Sequence, residues 1–184
     1  MDARRTRATY RHGNLREEAV QAAFALATAD GAAALSLRAV ADRVGVAHRS
    51  LYNHFADREA LIDAVAEQGF LRLAEALKPA ATPADYVRAY VRFALDAPLL
   101  YALMKTRPHA TMKARPDLQR AVHRTIAEAM RIFGRPDRSG EDNRRAVMRV
   151  IVLLHGGITM HRSGILDVDG DEGLIAELTA MVAR

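Results

Sequence analysis

Apolar residues recur at helical spacing along nearly the whole chain, and no alternating β-branched run makes a strand. Val20, Ala23, Leu26 and Ala27 predict a first helix reaching about Asp30, with Asn14 as N-cap, Glu17 completing a capping box and Gly31 as the stop. Ser36 caps a second helix that ends near Val44, and a third is expected from about Ala47 to Phe55. Asp57 caps a fourth, whose buried face is Ala60, Leu61, Ala64, Val65, Phe70, Leu71, Ala74 and Leu77; Lys78-Pro79 ends it. After the hinge PAATP at 79–83, helices are expected over Pro83–Asp96 and Pro98–Lys105. The segment KTRPHATMKARP at 105–116 reads as a polar, basic loop. A helix over Pro116–Phe133, the turn GRPDRSG, and two last helices near Glu141–Ser163 and Asp171–Ala183 complete an all-α fold.

The penultimate helix carries two apolar stripes. Val147, Ile151, Leu154, Ile158, His161 and Ile165 form one, and Met148, Val152, His155 and Thr159 lie beside it. One seam suffices for packing within a domain, whereas a wider apolar arc needs cover on two sides. Together with Leu174, Ile175, Leu178, Met181 and Val182 on the last helix, this predicts a homodimer through a four-helix bundle. Gly156-Gly157 inside a helix costs about 1 kcal/mol per glycine relative to alanine, which predicts a close helix–helix approach there.

Composition narrows the picture. Hydrophobic residues make up 50% and charged residues 27%, as in ordinary folded proteins. The absence of cysteine removes disulfides and thiolate metal sites and predicts a cytoplasmic chain. No secretory leader is expected from MDARRTRATYRHG, and no apolar run, Val150–Leu154 included, is long enough for a membrane span. Most of the net charge of +5 sits at the start, where residues 1–16 hold five arginines against Asp2 alone. We therefore divide the chain into a basic arm over 1–13, a first helical domain with its connecting helix over 14–78, and a larger helical domain over 79–184.

In LRAVADRVGVAHRSLYNHF, residues 37–55, a DNA reader is legible. Ala41 is small where two helices cross, Gly45 turns the chain, and Leu51 returns an anchor to the core, the spacing of a helix-turn-helix. With Gly31, Ser36-Leu37-Arg38 and GVAHRSLYNHFADREAL in place, the chain resembles the tetracycline-repressor (TetR) family of one-component regulators over residues 12–70. HGNLREEAVQAA at 12–23 and LLHGGITMHRSGIL at 153–166 are similar to a subgroup with a Trp-His-Gly signature, although the tryptophan is absent here, with Ile151 and Val152 in the preceding turn.

The resemblance implies double-stranded DNA with a palindromic operator as a partner. It places Tyr52, His54 and Ser50 on backbone phosphates, with Arg38 and Arg58 clamping neighbouring ones, and His48, Arg49 and Asn53 at base edges beside Ala47. Ala47 departs from the hydroxyl residue common at its position, Arg49 from a small residue, and Arg58 from a lysine. The larger domain is expected to bind a small-molecule effector, with repression released on binding. Tyr90, Phe93, Tyr101, Met104, His123, Met130, His155 and His161 are the candidate lining. No cofactor and no metal are called for: no HExxH pair or phosphate loop exists, and DVDGDEG around Asp167, Asp169 and Asp171 lacks the calcium-loop series. An architectural DNA-binding protein without a ligand is the alternative, with an all-helical enzyme behind it.

Overall fold

The computed structural model describes residues 15–183, so the basic arm and the Asn14 cap lie outside the described residues. The described chain is ten α-helices and one short 3-10 turn: α1 Leu15–Asp30, the turn Ala32–Ala34, α2 Leu37–Val44, α3 His48–Leu51, α4 Arg58–Leu77, α5 Pro83–Asp96, α6 Pro98–Lys105, α7 His109–Ala114, α8 Pro116–Phe133, α9 Gly140–Arg162 and α10 Gly170–Val182. Among the described residues, no helix is long and apolar enough to cross a membrane.

Local chemistry sets most boundaries. Gly31 stops α1 at φ +77°, and the Ser36 hydroxyl accepts the Ala39 N–H at 3.0 Å to start α2. Gly45 ends α2 in the left-handed region at φ +78°, where its own N–H and that of Val46 both close on the Ala41 carbonyl. Asp57 caps α4 through the Ala60 N–H at 2.7 Å. At α5, Thr82 and Asp85 make a reciprocal capping box ahead of Pro83.

Two expectations need correction. The third helix is four residues long rather than nine, because its end tightens: Tyr52 N–H bonds the Arg49 carbonyl and His54 N–H the Leu51 carbonyl, both three residues back. Residues 105–116 are not all loop, since α7 forms between Pro108 and the extended Arg115 that precedes Pro116.

One apolar core runs from Leu15 to Leu178. Within it α4 packs along α8, α1 against α4 and α6, and α10 against α5 and α9. The Gly156-Gly157 expectation resolves into two different positions. A Cβ on Gly157 would sit 2.5 Å from Leu178 Cδ2, so α9 and α10 approach closely there, while a Cβ on Gly156 would meet nothing within 4 Å. The first α9 stripe is buried at Val147, Leu154 and Ile158, and the second leaves Met148 and Val152 exposed. Ile165 does not extend the buried stripe; it lies past the end of α9 and is exposed. Arg131 on α8 fixes the hinge by donating to the carbonyls of Leu77, Lys78 and Ala80.

Candidate nucleic-acid interface and sensor cluster

The reader is built by anchoring alternate positions. Leu51 is 0% exposed and Phe55 2%, both in the same core as Leu37, Val40, Ala41 and Ala23. That fixes which way the remaining side chains face. Ala47, His48, Arg49, Tyr52, Asn53 and His54 are exposed, Ser50 is half-buried, and Arg38 is exposed on α2. Tyr52, at 52%, is no packing aromatic; its ring meets His48 edge-on with centroids 5.1 Å apart. Among the described residues Arg38, Arg43 and Arg49 pair with no carboxylate.

Arg58 has a different position from its neighbours. Its Nε donates to the Leu35 carbonyl at 2.7 Å and its Nη2 to the Ala32 carbonyl at 2.6 Å, so it ties the start of α4 to the segment before α2. Arg16, which the motif did not point to, lies over the Phe55 ring at 5.6 Å, and no local pattern announced it.

In the helical domain the structure brings together three of the eight expected sensor residues. Tyr90 on α5, Tyr101 on α6 and His155 on α9 meet in the interior, whereas Met104, also on α6, is buried beside Gly69 of α4. The Tyr90 hydroxyl lies 3.4 Å from His155 Nε2, and the Tyr101 hydroxyl bonds Nδ1 of the same ring. Burial pushes both phenols well above their ordinary range. Burial, with Lys105 nearby adding to it, lowers His155 from 6.5 to about 4, so the imidazole is neutral near pH 7. Lys105 stands 4.6 Å over the Tyr101 ring and 3.4 Å from Thr159 Oγ1. The cluster is thus two phenols on a neutral imidazole, one donating to its bare nitrogen and the other accepting from its N–H, with a cation at its edge.

The other four do not join it. Phe93 and Met130 are half-buried against the core, His123 is exposed on α8, and His161 faces Asp171 of α10 at 3.3 Å. A helix period places a residue on a face but not the face toward a particular neighbour. The three aspartates of the 167–171 turn form no metal-competent cluster among the described residues.

Sequence reading missed the link between the two parts of the chain. Asp63, buried within α4, accepts from Arg107 at 3.2 Å and from Arg115 at 3.1 Å, and Arg107 also reaches Glu59 at 2.8 Å. The available signal was a charge set inside the apolar run Leu61-Ile62-Asp63-Ala64-Val65.

Residues 19–65 match the family model described as bacterial regulatory proteins, tetR family, and residues 84–182 match a tetracyclin repressor-like C-terminal domain. No curated protein sequence matches the chain. A solved protein of unknown function from Rhodococcus sp. RHA1 is 32% identical, with 96% of this chain and 97% of that one covered and a TM-score of 0.78. A TetR transcriptional regulator from Rhodococcus sp. RHA1 shares 23% identity over 92% of this chain and 95% of its own, with a TM-score of 0.63. RolR, solved with its ligand resorcinol, shares 24% over 92% and 87%, with a TM-score of 0.62; these last two establish likeness of fold. The second model alone spans more than half of the chain, and the first covers the exposed reader described above: the chain belongs to the TetR family, whose members are DNA-binding transcriptional regulators with a ligand-binding C-terminal domain and not enzymes.

Proposed function

We propose that the chain is a cytoplasmic repressor that binds a palindromic operator as a homodimer and leaves it when a small molecule occupies the C-terminal domain. In this reading residues 1–78 engage DNA and residues 79–184 sense and dimerise. The observation that carries it is the recognition turn itself: Leu51 and Phe55 are locked in the core while Ala47, His48, Arg49, Tyr52, Asn53 and His54 face outward. Arg49 bonds a guanine edge, Asn53 and His48 contact neighbouring bases, and Tyr52, His54, Ser50 and Arg38 hold phosphates. Arg58 contributes by holding α4 against the reader and meets phosphate only if it leaves its two carbonyls.

Dimerisation is supported by the outward faces of α9 and α10, where Met148, Val152 and Met181 are 57%, 61% and 48% exposed. A second copy would cover them and set two readers about 34 Å apart. The Tyr90–His155–Tyr101 cluster, which joins α5, α6 and α9, is the place where a polar ligand would alter helix packing. An effector releases DNA only by binding the incompatible shape more tightly.

Selection from a random duplex library tests this. The expected product is an inverted repeat with half-site centres about one helical turn apart. Val152→Asp should give monomers and lose the repeat. Failure to enrich any motif, with the parent chain monomeric at micromolar concentration, would end the proposal.

A further inference from the structure

A cleft of about 880 Å³ opens where α8 ends and α9 begins, away from the Tyr90–His155–Tyr101 cluster. Its volume lies within the range of small-molecule sites. The floor is apolar and only half-buried: Phe133, Val150, Leu153 and Val182 line it. Two helices start at this cleft, α5 at Pro83 and α9 at its Ser139 cap, and two end there, α8 and α10. Their dipole ends offset one another, so the side chains decide the sign of the field.

Those side chains favour an anion. Asp137 is taken by Arg135 at 3.1 Å, and Asp142 by the Ser139 hydroxyl at 2.7 Å, with Arg145 at 4.0 Å. Arg138 and Arg149 also line the cleft. Among the described residues neither pairs with a carboxylate, and the hydrogen bond Arg149 makes is from Nε to the Arg145 carbonyl in its own helix. The result is two guanidiniums without a carboxylate partner in the lining of a cleft whose apolar floor is half-buried.

The wall of the cleft leads inward. Phe133 packs edge-on against Tyr86 at 5.1 Å, Tyr86 stacks on Tyr90 at 6.0 Å, and Tyr90 is hydrogen-bonded to His155. Tyr86 is fully buried and its hydroxyl has no hydrogen-bond partner among the described residues, so this aromatic row holds an unsatisfied polar atom.

We propose that this cleft binds an amphipathic organic monoanion, an aromatic or short-chain carboxylate, with its apolar body on Phe133, Val150, Leu153 and Val182 and its carboxylate on Arg138 and Arg149. Charge-assisted contacts from guanidinium to carboxylate hold the head group, and the half-exposed floor gains cover from the tail. A neutral molecule of the same shape keeps only the second contribution. The site does not require the sensor role proposed above; only its consequence for DNA does.

Isothermal titration of the full chain with 4-phenylbutyrate and octanoate, beside their neutral amides, tests the site. Saturable one-to-one binding of the acids is expected, with the amides weaker by about tenfold or more. Arg138→Gln combined with Arg149→Gln changes two exposed side chains, leaves the thermal midpoint in place, and should weaken the acids to the level of the amides. Acids and amides binding alike, unchanged acid affinity in the double variant, or no saturation up to about 10 mM would each overturn the proposal. DNA binding is measured separately: a chain that binds acids but no duplex refutes the repressor reading and leaves the cleft standing.

Discussion

Asp63 of α4 and Arg107, which follows α6, form an ion pair at 3.2 Å with both side chains almost removed from water. Arg115 approaches the second Asp63 oxygen at 3.1 Å, so one carboxylate joins the helix that leaves the reader to both ends of the α7 segment. Lys105, at the edge of the sensor cluster, is two residues before Arg107, and Glu59 connects Arg107 on to Arg58. The connection between reader and sensor is therefore charged at its centre and apolar around it.

Asp63→Asn should be costly because it leaves Arg107 largely buried with Glu59 as its remaining acid. Breaking such a pair from one side costs about 3 kcal/mol, whereas Asp63→Leu with Arg107→Met should recover much of that loss. Urea unfolding of Asp63→Leu, Arg107→Met and the double variant gives the coupling. A loss below about 1 kcal/mol for Asp63→Asn would mean that the pair is only incidental.

His155 makes stability depend on pH in a defined direction. The unfolded chain takes up a proton near 6.5, the folded chain only near 4, so the neutral ring's contribution is complete above pH 6.5 and is lost as pH falls toward 4. The slope is at most about 1.4 kcal/mol per pH unit for one proton, and less because the ring is partly open to solvent. His155→Gln removes this component, so the stability difference between parent and variant must change across that window. Parallel curves from pH 4 to 6.5 would refute it.

The adjacent glycines of α9 should respond oppositely to alanine. At Gly157 the new methyl meets the buried Leu178 side chain, and overpacking costs about 1–3 kcal/mol. At Gly156 nothing stands in the way, and the helix gains up to about 1 kcal/mol. Both are best read in the Val152→Asp background, where a second copy should not touch α9. Equal effects of the two substitutions would show that α9 and α10 do not approach as described.

What could be read along the chain was whatever local chemistry decides. Gly31, Ser36, Gly45 and Asp57 act on their own neighbours, so the frame of the reader followed from sequence. The length of α3 did not, because a turn tightened to three-residue hydrogen bonds keeps the same residues and the same apolar spacing. Helix α7 escaped notice because its six residues are too few to show a period, and it is held by packing on α8. Tyr90, Tyr101 and His155 converge because their helices turn those faces inward, while His123 faces water and His161 faces Asp171. Asp63 and Arg107 are 44 positions apart, and nothing local pairs them.

Arg38 and Arg58 look equivalent in sequence, and the structure separates them. Arg38 is exposed and unpaired among the described residues, free to neutralise a phosphate. Arg58 is engaged by the carbonyls of Leu35 and Ala32. Arg38→Gln should weaken binding to every duplex alike and make the log–log salt slope shallower by about 1, with the unfolding midpoint unchanged. Arg58→Gln should instead lower stability by about 1–2 kcal/mol, the scale of charged hydrogen bonds at a half-exposed site, and leave the salt slope nearly intact. Fluorescence anisotropy across a salt series, paired with urea unfolding of the same samples, distinguishes the two. If Arg58→Gln moves the slope by about 1 and leaves stability alone, then DNA draws that guanidinium off its carbonyls, and the residue is a phosphate clamp after all.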